Sequence, residues 1–382
     1  MSTRILYCHP GAELYGADRM ALITAEGLAQ SGHFVKVVLP NSGPLESKIR
    51  AADINVELVN VPVLRKSALT ITGMGRLLAA SVRGTIKSIR VIRKFDPDVV
   101  YANTITQPIW FLAAKICRRK LVCHVRESES GAHPIIRKGL LLPLALADDI
   151  IANSMSTLEF VRQSLYSRAR VKTHVVYNGK DWSKYLRNEP QMIQQPVRIL
   201  LVGRLSPRKG QDVAVHAIGI IRRLGIDCTL RLAGDTFPGY EWFEDELLDI
   251  EKRLGLSANV THVGFVDDIP KELEWADVVL VPSRQEPFGT VAAEAMAAMR
   301  PVIVSGVEGL TEIVEHGRTG LVVPPESPEE LSNAILRLVK DPSMAAKLAK
   351  NGYERVNREF SLINYRRRIE LVLVSQENDG NQ

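Results

Sequence analysis

The segment ADVVLVPSRQEPFGTVAAEAM, residues 276–296, decides how the fold is interpreted. Its apolar start, residues 276–282, is typical of a buried strand, and the alanine-rich run from Thr290 to Met299 is typical of a helix. A turn containing Pro287 and Gly289 separates the two runs. A buried strand that leads directly into a helix is the repeating unit of a parallel α/β sheet.

The same alternation of apolar runs and amphipathic stretches continues through both halves of the chain. Strands are predicted at residues 4–8, 35–39, 98–102, 120–124, 149–153 and 175–177, and then at 198–202, 229–233, 260–263, 276–282, 301–304 and 320–323. The polar segment 187–197 contains two prolines and predicts a linker. We therefore expect an α/β fold with two Rossmann-like, doubly wound parallel-sheet domains facing a cleft.

Length and composition agree with this expectation. A chain of 382 residues is long enough for two domains, and 46% hydrophobic with 24% charged residues is typical of a soluble globular protein. The four cysteines form no C-x-x-C pair, which favours reduced thiols. Since no apolar run reaches the roughly 18–20 residues of a membrane span and a strand begins near Met1, we expect no membrane span and no signal peptide. The predicted location is cytoplasmic, either free or peripheral on the inner face of the cell membrane.

Charge is distributed unequally between the halves. Residues 1–190 contain 27 Lys and Arg against 15 Asp and Glu, whereas the remainder contains 22 against 28. Residues 65–94 contain eight basic residues and no acid. The basic positions with helical spacing are Arg76, Arg83, Lys87, Arg90 and Lys94, opposite Leu78, Val82, Ile86 and Ile89. Such a helix either lies on an anionic membrane or packs its apolar side inward. Nucleic acid is not predicted, because no aromatic residues are interspersed among these basic positions.

The loop in LLVGRLSPRKGQD, residues 200–212, places two cations at the carboxyl end of a predicted strand. Arg204 and Lys209 suit a diphosphate, since Arg can contact two oxygens and Lys acts as a point charge. The alternative is an ordinary solvated loop. Ligands of open parallel sheets bind beyond the carboxyl ends of the strands. The loop alone is weak evidence and favours the ordinary loop, and it is the segment 286–294 that changes this balance.

Two carboxylates flank the start of the predicted helix after the turn. The free N–H groups and the dipole at the beginning of this helix favour an anion. Glu286 and Glu294 are separated by at most about 12 Å along a helix axis, which is near the span from a sugar through a diphosphate to a ribose. The alternative is that Glu294 is solvated and Glu286 is a turn residue, but the flanking alanines and valines make a solvated Glu294 less favourable.

EPFGTVAAE, residues 286–294, resembles the E-x7-E motif of retaining glycosyltransferases with the GT-B fold, most closely glycosyltransferase family four. Further segments resemble the family in order and cover nearly the whole chain: VVYNGKD (175–181), VGRLSPRKG (202–210), LAGD (232–235), GFVDD (264–268) and EIVEHGRTGLVVPPESPEEL (312–331). The resemblance implies an acceptor-binding domain over residues 1–186, a nucleotide-sugar-binding domain over 197–360, and a crossover helix over 361–376.

The resemblance also implies residue roles. Arg204 and Lys209 would bind the diphosphate and stabilise the leaving oxygen, Glu286 would bind the donor sugar, and Glu294 would bind the ribose. The rest of the donor site would be Gly203, Phe288, Gly289, Thr290 and Val266, the last beside the base. His124 matches the family histidine that approaches the donor sugar from the other domain, with a core histidine as the alternative.

A glycine loop near the N-terminus completes the resemblance. In GAELYGADRM, residues 11–20, Gly16 would bring backbone near the leaving phosphate. Tyr15 replaces the first glycine of the family pattern, and Asp18 replaces its glutamate, which leaves the acceptor geometry open. The alternative is an ordinary loop at the start of a helix.

The predicted reaction is the retaining transfer of a sugar from a nucleotide diphosphate sugar to a hydroxyl of a lipid-linked or polysaccharide acceptor. Retention follows from the resemblance alone. No cofactor and no essential metal are expected: Asp96 and Asp98 have D-x-D spacing but open a buried strand, and the eight histidines show no metal-binding pair. A nucleotide-sugar epimerase and a non-catalytic sugar-nucleotide binding module remain alternatives.

Overall fold

The computed structural model describes residues 2–63, 71–127, 139–164, 171–185, 187, 189–236 and 239–374, with the backbone alone for residues 71–79 and 164. The chain divides into two compact units. The first comprises Met1–Gly179 with Ile363–Gln382, and the second comprises Lys180–Leu362. Each unit is built around its own parallel sheet, so the predicted α/β class with two Rossmann-like parallel-sheet domains is confirmed.

The first unit has a sheet of seven strands among its described residues. The strands are β1 (Arg4–Cys8), β2 (Phe34–Leu39), β3 (Asn55–Leu58), β4 (Val99–Ala102), β5 (Lys120–Val125), β6 (Asp149–Ala152) and β7 (Lys172–Val175). Their order is β3-β2-β1-β4-β5-β6-β7, and every pairing is parallel. The helices of this unit are α1 (Gly16–Gln30), α2 (Pro44–Ala51), α3 (Ile71–Phe95), α4 (Ile109–Ile116), a 3-10 helix (Leu142–Leu146) and α5 (Met155–Ser164).

The second unit has a sheet of six strands in its described part. The strands are β8 (Val197–Val202), β9 (Cys228–Ala233), β10 (Val260–Gly264), β11 (Val278–Val281), β12 (Val302–Ser305) and β13 (Leu321–Val323). Their order is β10-β9-β8-β11-β12-β13, and all pairings are parallel. The helices are α6 (Gln211–Arg223), α7 (Glu241–Leu254), α8 (Ile269–Trp275), α9 (Thr290–Ala297), α10 (Leu310–Ile313), α11 (Pro328–Lys340) and α12 (Pro342–Glu359), with 3-10 helices at Ser183–Tyr185 and Pro207–Lys209.

The last helix, α13 (Leu362–Val374), follows the second unit in the chain but packs within the first. Its Tyr365 and Ile369 are buried in a cluster with residues of β1 and α1, including Ile5 and Met20. None of the helices in the described ranges combines the length and the apolar composition that crossing a bilayer requires.

The strands could be predicted from apolar runs in the sequence because most of their residues are buried. Every residue of β4, β6, β11 and β12 is buried. Helices cover both faces of a parallel sheet, and its central strands are therefore apolar on both sides.

The strand order identifies one edge position in each unit where a ligand is expected. In the first sheet the chain turns in opposite directions after β1 and β4, and in the second sheet after β8 and β11. Ligands of open α/β sheets bind at such topological switch points, beyond the carboxyl ends of the two strands. In the second unit these positions are occupied by the loops that follow Val202 and Val281.

The structure differs from the sequence-based expectation at three places. The strand β3 was not predicted, and β7 lies at Lys172–Val175 rather than at residues 175–177. On α3, Val82 and Ile86 are exposed beside Arg83 and Lys87, so these two apolar side chains do not pack inward. The buried side of α3 is instead formed by Gly84, Ser88, Val91 and Ile92.

Candidate active site

The turn between β11 and α9 depends on Gly289. This residue has φ of 102°, and a Cβ there would lie 2.4 Å from Leu310 Cδ2. Only glycine adopts this conformation readily, and it lets the backbone pack closely at the beginning of α9. Phe288 is buried against the edge of the Phe360 ring, with 5.8 Å between ring centroids. The Ala292 N–H already donates to the Gly289 carbonyl oxygen at 3.0 Å, so only the N–H groups before it, from Thr290, can face an anion at this helix start.

Glu286 lies in this turn and is paired with Lys209. Lys209 Nζ donates to Glu286 Oε2 at 2.5 Å, and Ser283 Oγ lies 3.5 Å from the same oxygen. The Glu286 backbone N–H donates to Glu308 Oε2 at 2.8 Å. The contacts with Lys209 and Ser283 hold the Glu286 carboxylate by its Oε2 atom, and the bond to Glu308 fixes the Glu286 backbone, at the switch point between β8 and β11. The structure therefore brings together two residues that the sequence placed 77 positions apart.

The loop that carries Lys209 is fixed by glycines. Lys209 Cδ lies 3.4 Å from the position of a Cβ on Gly203, so the lysine side chain extends over this glycine. Gly210 has φ of 69°, and a Cβ there would lie 2.1 Å from the carbonyl oxygen of Pro282. The loops after β8 and β11 thus pack backbone against backbone. Arg204 lies in the same loop and is partly buried.

Arg284 connects the same two loops and was missed by the sequence analysis. Its guanidinium donates to both carboxylate oxygens of Asp212, at 2.9 and 2.7 Å, and to the carbonyl oxygen of Pro207. The hydrogen bonds to Asp212 raise the pKa of Arg284 above its ordinary value, so it stays charged. Bidentate Arg–carboxylate contacts are geometrically specific, and this one fixes the loop in front of α6.

Glu294, on α9, belongs to a second ion pair. Lys180 Nζ donates to its Oε1, and Tyr185 Oη donates to the same oxygen at 3.1 Å. The Glu294 side chain is 6% exposed and that of Lys180 is 11% exposed. Among the described residues, Glu294 Oε2 has no hydrogen-bond partner. Glu294 is therefore not the solvated helix residue of the alternative interpretation.

Val266 lies two residues after β10, which is the edge strand of the second sheet. Its side chain is partly buried, and its neighbour Phe265 is held by an N–H bond to Asp235 Oδ1 at 3.1 Å. The position is two strands away from β8, on the same carboxyl edge of the sheet. Its predicted place beside a nucleotide base stays a prediction.

In the first unit, His124 near the end of β5 is fully buried and held by two neighbours. Arg126 Nη2 lies 3.2 Å from His124 Nδ1, and Tyr101 Oη lies 2.6 Å from the same nitrogen. Since arginine only donates, Nδ1 accepts and the ring proton is on Nε2. Within the described ranges, Nε2 has no partner. A satisfied core histidine would have one, so Nε2–H is an enclosed donor without an acceptor among the described residues.

Arg126 is the centre of a buried polar network in the first unit. It donates to Asn103 Oδ1 at 2.7 Å, to Asn178 Oδ1 at 2.8 Å and to Tyr365 Oη at 3.1 Å. Each of these contacts approaches the carboxyl edge of the sheet or α13. Neither Arg126 nor its partners were predicted, because the contacts join residues far apart in sequence.

The glycine loop before α1 is anchored by Asp18. Asp18 Oδ2 accepts from the Tyr15 N–H at 3.1 Å, and Oδ1 accepts from His9 Nε2 at 2.9 Å. Both carboxylate oxygens are thus engaged within the protein, which favours a structural role for Asp18. Gly16 is the first residue of α1, and a Cβ there would meet nothing within 4 Å. Open space at this backbone is compatible with a ligand beside it.

Burial lowers the pKa of His124 well below its ordinary value, and the nearby Arg126 charge lowers it further. In the unfolded chain His124 has a pKa near 6.5 and is protonated below that pH, whereas in the folded protein it stays neutral there. His124 therefore favours folding above about pH 6.5, and this contribution falls below that pH by up to about 1.4 kcal/mol per unit. We expect His124→Gln to flatten the pH dependence of the free energy of unfolding between pH 6.5 and 5. Urea denaturation measures it, with His216→Gln at an exposed position as the control. An unchanged slope in His124→Gln would contradict a neutral imidazole.

Within the described part of the chain, no three His, Cys, Asp or Glu side chains are grouped so that they could hold a metal ion. Asp98, from the D-x-D pair, accepts from the Arg4 backbone N–H at 2.8 Å, and Asp96 pairs with Arg119. Both acids therefore have partners at the start of β4. Independence from metal stays a prediction.

Comparison with known families covers most of the chain. The model described as Glycosyltransferase Family 4 matches residues 15–184, and the model described as Glycosyl transferases group 1 matches residues 185–355. The chain belongs to glycosyltransferase family four. The two matches meet at Lys184 and Tyr185, close to the boundary between the two units.

Curated relatives of this family-four glycosyltransferase include enzymes with different products. It is 28% identical to the glycogen synthase of Mycobacterium tuberculosis over 380 residues, which cover 92% of this chain and 89% of the relative. It is also 28% identical to a glycosyltransferase of Methanocaldococcus jannaschii, with 88% of each chain covered. Alpha-D-kanosaminyltransferase of Streptomyces kanamyceticus is 33% identical, but over 46% of this chain and 45% of the relative.

Solved structures give the same fold for this glycosyltransferase. Anabaena HepE, determined in complex with UDP and glucose, superposes with a TM-score of 0.82 at 26% identity and covers 98% of this chain and 100% of its own. Sucrose-phosphate synthase from Thermosynechococcus elongatus superposes with a TM-score of 0.75 at 21% identity, which bears on the fold alone.

Proposed function

We propose that this glycosyltransferase moves a sugar from a nucleotide diphosphate sugar to an acceptor hydroxyl, with retention of the anomeric configuration. The observation that carries the proposal is the Lys209–Glu286 pair at the switch point of the second sheet, beside the beginning of α9. This is where an open α/β sheet binds its ligand, and the pair offers one charge for phosphate and one carboxylate for sugar hydroxyls.

The diphosphate is assigned to Lys209, Arg204 and the first N–H groups of α9. Lysine Nζ has three protons, so Lys209 can keep its bond to Glu286 and still donate to a phosphate oxygen. A cation in this position stabilises the negative charge that grows on the leaving oxygen. Glu286 would accept from hydroxyls of the donor sugar through Oε1, because its Oε2 is occupied by Lys209.

The reaction breaks the bond between the anomeric carbon and the diphosphate oxygen and forms a bond to the acceptor oxygen on the same face. The departing phosphate takes the proton of the acceptor hydroxyl. His124 is held neutral by its burial and by the nearby charge of Arg126, and it would contribute a hydrogen bond from Nε2–H to the substrate rather than a charge. No essential metal takes part in this proposal.

The nucleotide sugar is supported by the relatives. HepE was solved with UDP-glucose as well as with UDP, and it shares 25% of its sequence with this chain in that complex. The product analysis described below identifies the sugar and the base.

A lipid-linked or polysaccharide acceptor at the inner face of the cell membrane is supported by the surface of α3 and its neighbours. Val82 and Ile86 on α3 are exposed beside Arg83 and Lys87. The neighbouring helix α4 and the 3-10 helix Leu142–Leu146 also expose apolar side chains: Leu112, Ile116, Leu142 and Leu146. Exposed apolar residues flanked by basic residues suit the interface of an anionic bilayer.

Reversing two of these charges, Arg83→Glu with Lys87→Glu, is expected to weaken binding to vesicles containing phosphatidylglycerol by more than about tenfold. Vesicle sedimentation measures it, and Lys252→Glu with Arg253→Glu, an exposed basic pair on the second unit, is the control. Equal binding by both double variants would remove the membrane from the proposal.

Product analysis tests the proposed reaction. The protein is incubated with UDP-, GDP-, ADP- and dTDP-sugars, with and without a crude glycolipid acceptor, in the presence of EDTA. We expect one donor to release nucleoside diphosphate slowly alone and faster with acceptor, giving a product that retains the anomeric configuration. Isomerised nucleotide sugar without acceptor would indicate an epimerase, and binding without turnover would indicate a non-catalytic module. Activity abolished by EDTA would contradict metal independence.

A further inference from the structure

Lys180 holds a position that none of the assigned roles explains. It is the first residue of the second unit, and its backbone is fixed on both sides. The Lys180 N–H donates to the Phe360 carbonyl at 3.3 Å, and the Leu362 N–H donates to the Lys180 carbonyl at 3.0 Å. Lys180 and Ser361 thereby form an isolated parallel β-bridge. A backbone fixed in this way gives the side chain a defined starting point.

The side chain reaches from this bridge to Glu294. Its ammonium group donates to Glu294 Oε1, lies 3.5 Å from Tyr185 Oη, and lies 5.8 Å from the centroid of the Tyr185 ring. Tyr185 is itself buried, and Trp182 packs edge-on against it with 5.6 Å between ring centroids. Trp182 Nε1 donates to the Phe360 carbonyl at 3.0 Å. The short segment from Lys180 to Tyr185 is therefore a rigid support for one carboxylate oxygen.

The hydrogen bonds of Glu294 are distributed unevenly. Oε1 accepts from both Lys180 and Tyr185, whereas Oε2 accepts from no residue that the structure describes. Oε2 is not one of the enclosed polar atoms that lack a partner among the described residues, so it is open to solvent although the Glu294 side chain is only 6% exposed. The arrangement leaves one acceptor oxygen, held in a fixed orientation, for a ligand hydroxyl.

We propose that Lys180 and Tyr185 are positioning residues for Glu294, which they hold so that Oε2 alone accepts a hydrogen bond from one hydroxyl of the donor ribose. The inference rests on the proposed function, which assigns the ribose to Glu294. Two consequences follow. Glu294 distinguishes between the two ribose hydroxyls rather than binding both, and this discrimination depends on residues that do not touch the nucleotide.

Deoxynucleotides test the proposal, because removing a single ligand hydroxyl isolates the bond to Oε2. The dissociation constants of UDP, GDP and ADP and of their 2′-deoxy and 3′-deoxy forms are measured by titration calorimetry. The nucleoside diphosphate that binds tightest is used for the variants. In the wild type, we expect one of the two deoxy forms to bind about tenfold or more weakly and the other to bind nearly as well as the ribonucleotide.

In Lys180→Met, we expect the ribonucleotide to bind about as weakly as that deoxy form, while the affinity for the deoxy form itself is unchanged. Tyr185→Phe keeps the ion pair, removes one hydrogen bond from Oε1, and is expected to reduce the same discrimination by a smaller factor. Lys184→Met is the matched control, because Lys184 is an exposed lysine in the 3-10 helix Ser183–Tyr185, next to Tyr185. Thermal unfolding confirms that each variant is folded, and Tyr185→Phe keeps the test informative if Lys180→Met is not.

Each outcome has a separate meaning. A wild type that binds none of the nucleotides overturns the proposed function and removes the premise for Lys180. A wild type that binds ribonucleotide and both deoxy forms equally leaves the proposed function in place and overturns the inference. Equal losses for ribonucleotide and deoxy forms in Lys180→Met make Lys180 purely structural, and unchanged discrimination in both variants also overturns the inference.

Discussion

Replacing Lys209 with methionine is expected to lower kcat/KM for the nucleotide sugar by about 10²–10³-fold. Methionine keeps the unbranched, apolar shape of the side chain over Gly203 but removes the ammonium group that faces Glu286. A cation that stabilises the leaving diphosphate acts mainly in the transition state, so most of the loss should be in kcat. Steady-state kinetics with the donor identified by product analysis measures it.

The pairing of Lys209 with Glu286 predicts how their effects combine. Glu286→Gln is expected to cost a similar factor, because it removes the negative charge that pairs with Lys209 and weakens the acceptor for sugar hydroxyls. In the double variant we expect a loss close to that of the more damaging single change, since residues that act as a unit are not additive.

Arg208→Met is the matched control for Lys209, because Arg208 is an exposed basic residue in the same 3-10 helix. It should change kcat/KM less than about threefold, as is usual for exposed charges away from a site. A Lys209→Met enzyme that keeps its wild-type kcat would contradict the assignment of this residue to the leaving group.

Gly210→Ala is expected to lower the free energy of unfolding by about 3 kcal/mol. Two effects contribute. The positive φ of 69° costs a residue with a side chain about 1 kcal/mol, and the new Cβ would lie 2.1 Å from the Pro282 carbonyl oxygen. The contact is with backbone, so no side chain can rotate away from it. Relieving it requires the loops after β8 and β11 to separate, which would also move Lys209 away from Glu286.

Gly225→Ala separates these two effects. Gly225 also has a positive φ, of 82°, but a Cβ there would meet nothing within 4 Å. We expect this variant to lose only the conformational part, about 1 kcal/mol, and to keep its donor affinity. Urea denaturation of both variants measures the difference. Equal destabilisation would mean that the two loops are not packed as closely as the structure has them.

Most strands could be predicted because a parallel sheet with helices on both faces needs continuous apolar runs. The two strands that were missed or misplaced lack such runs. The edge strand β3 reads Asn-Val-Glu-Leu and is exposed at both ends, and β7 reads Lys-Thr-His-Val with no fully buried residue. Edge strands bury less surface, and their sequences are therefore less apolar than those of central strands.

The donor-side loops could be located from the sequence because they follow predicted strands. The sequence did not reveal which basic side chain pairs with which carboxylate. Glu286 and Lys209 are both polar residues after adjacent strands, and the order of those strands was unknown. The partners of Glu294 were beyond prediction: Lys180 lies 114 positions away, at the end of a segment without periodicity. Arg126 likewise has partners in the loop after β4, in α13 and near the end of the first segment of the first unit, which only the fold brings together.

The central claim is that the acids of EPFGTVAAE bind a nucleotide sugar. The most direct test is a thermal-shift screen of UDP-, GDP-, ADP- and dTDP-sugars on the wild type, Glu294→Ala and the isosteric Glu294→Gln. A ligand that binds only the folded state stabilises it by about 2.7 kcal/mol at a hundredfold excess over its dissociation constant. We predict that one nucleotide sugar raises the melting temperature of the wild type and that both variants lose most of this shift, each measured against its own ligand-free value. A shift that is equal in all three proteins, or absent from the wild type, would contradict the account.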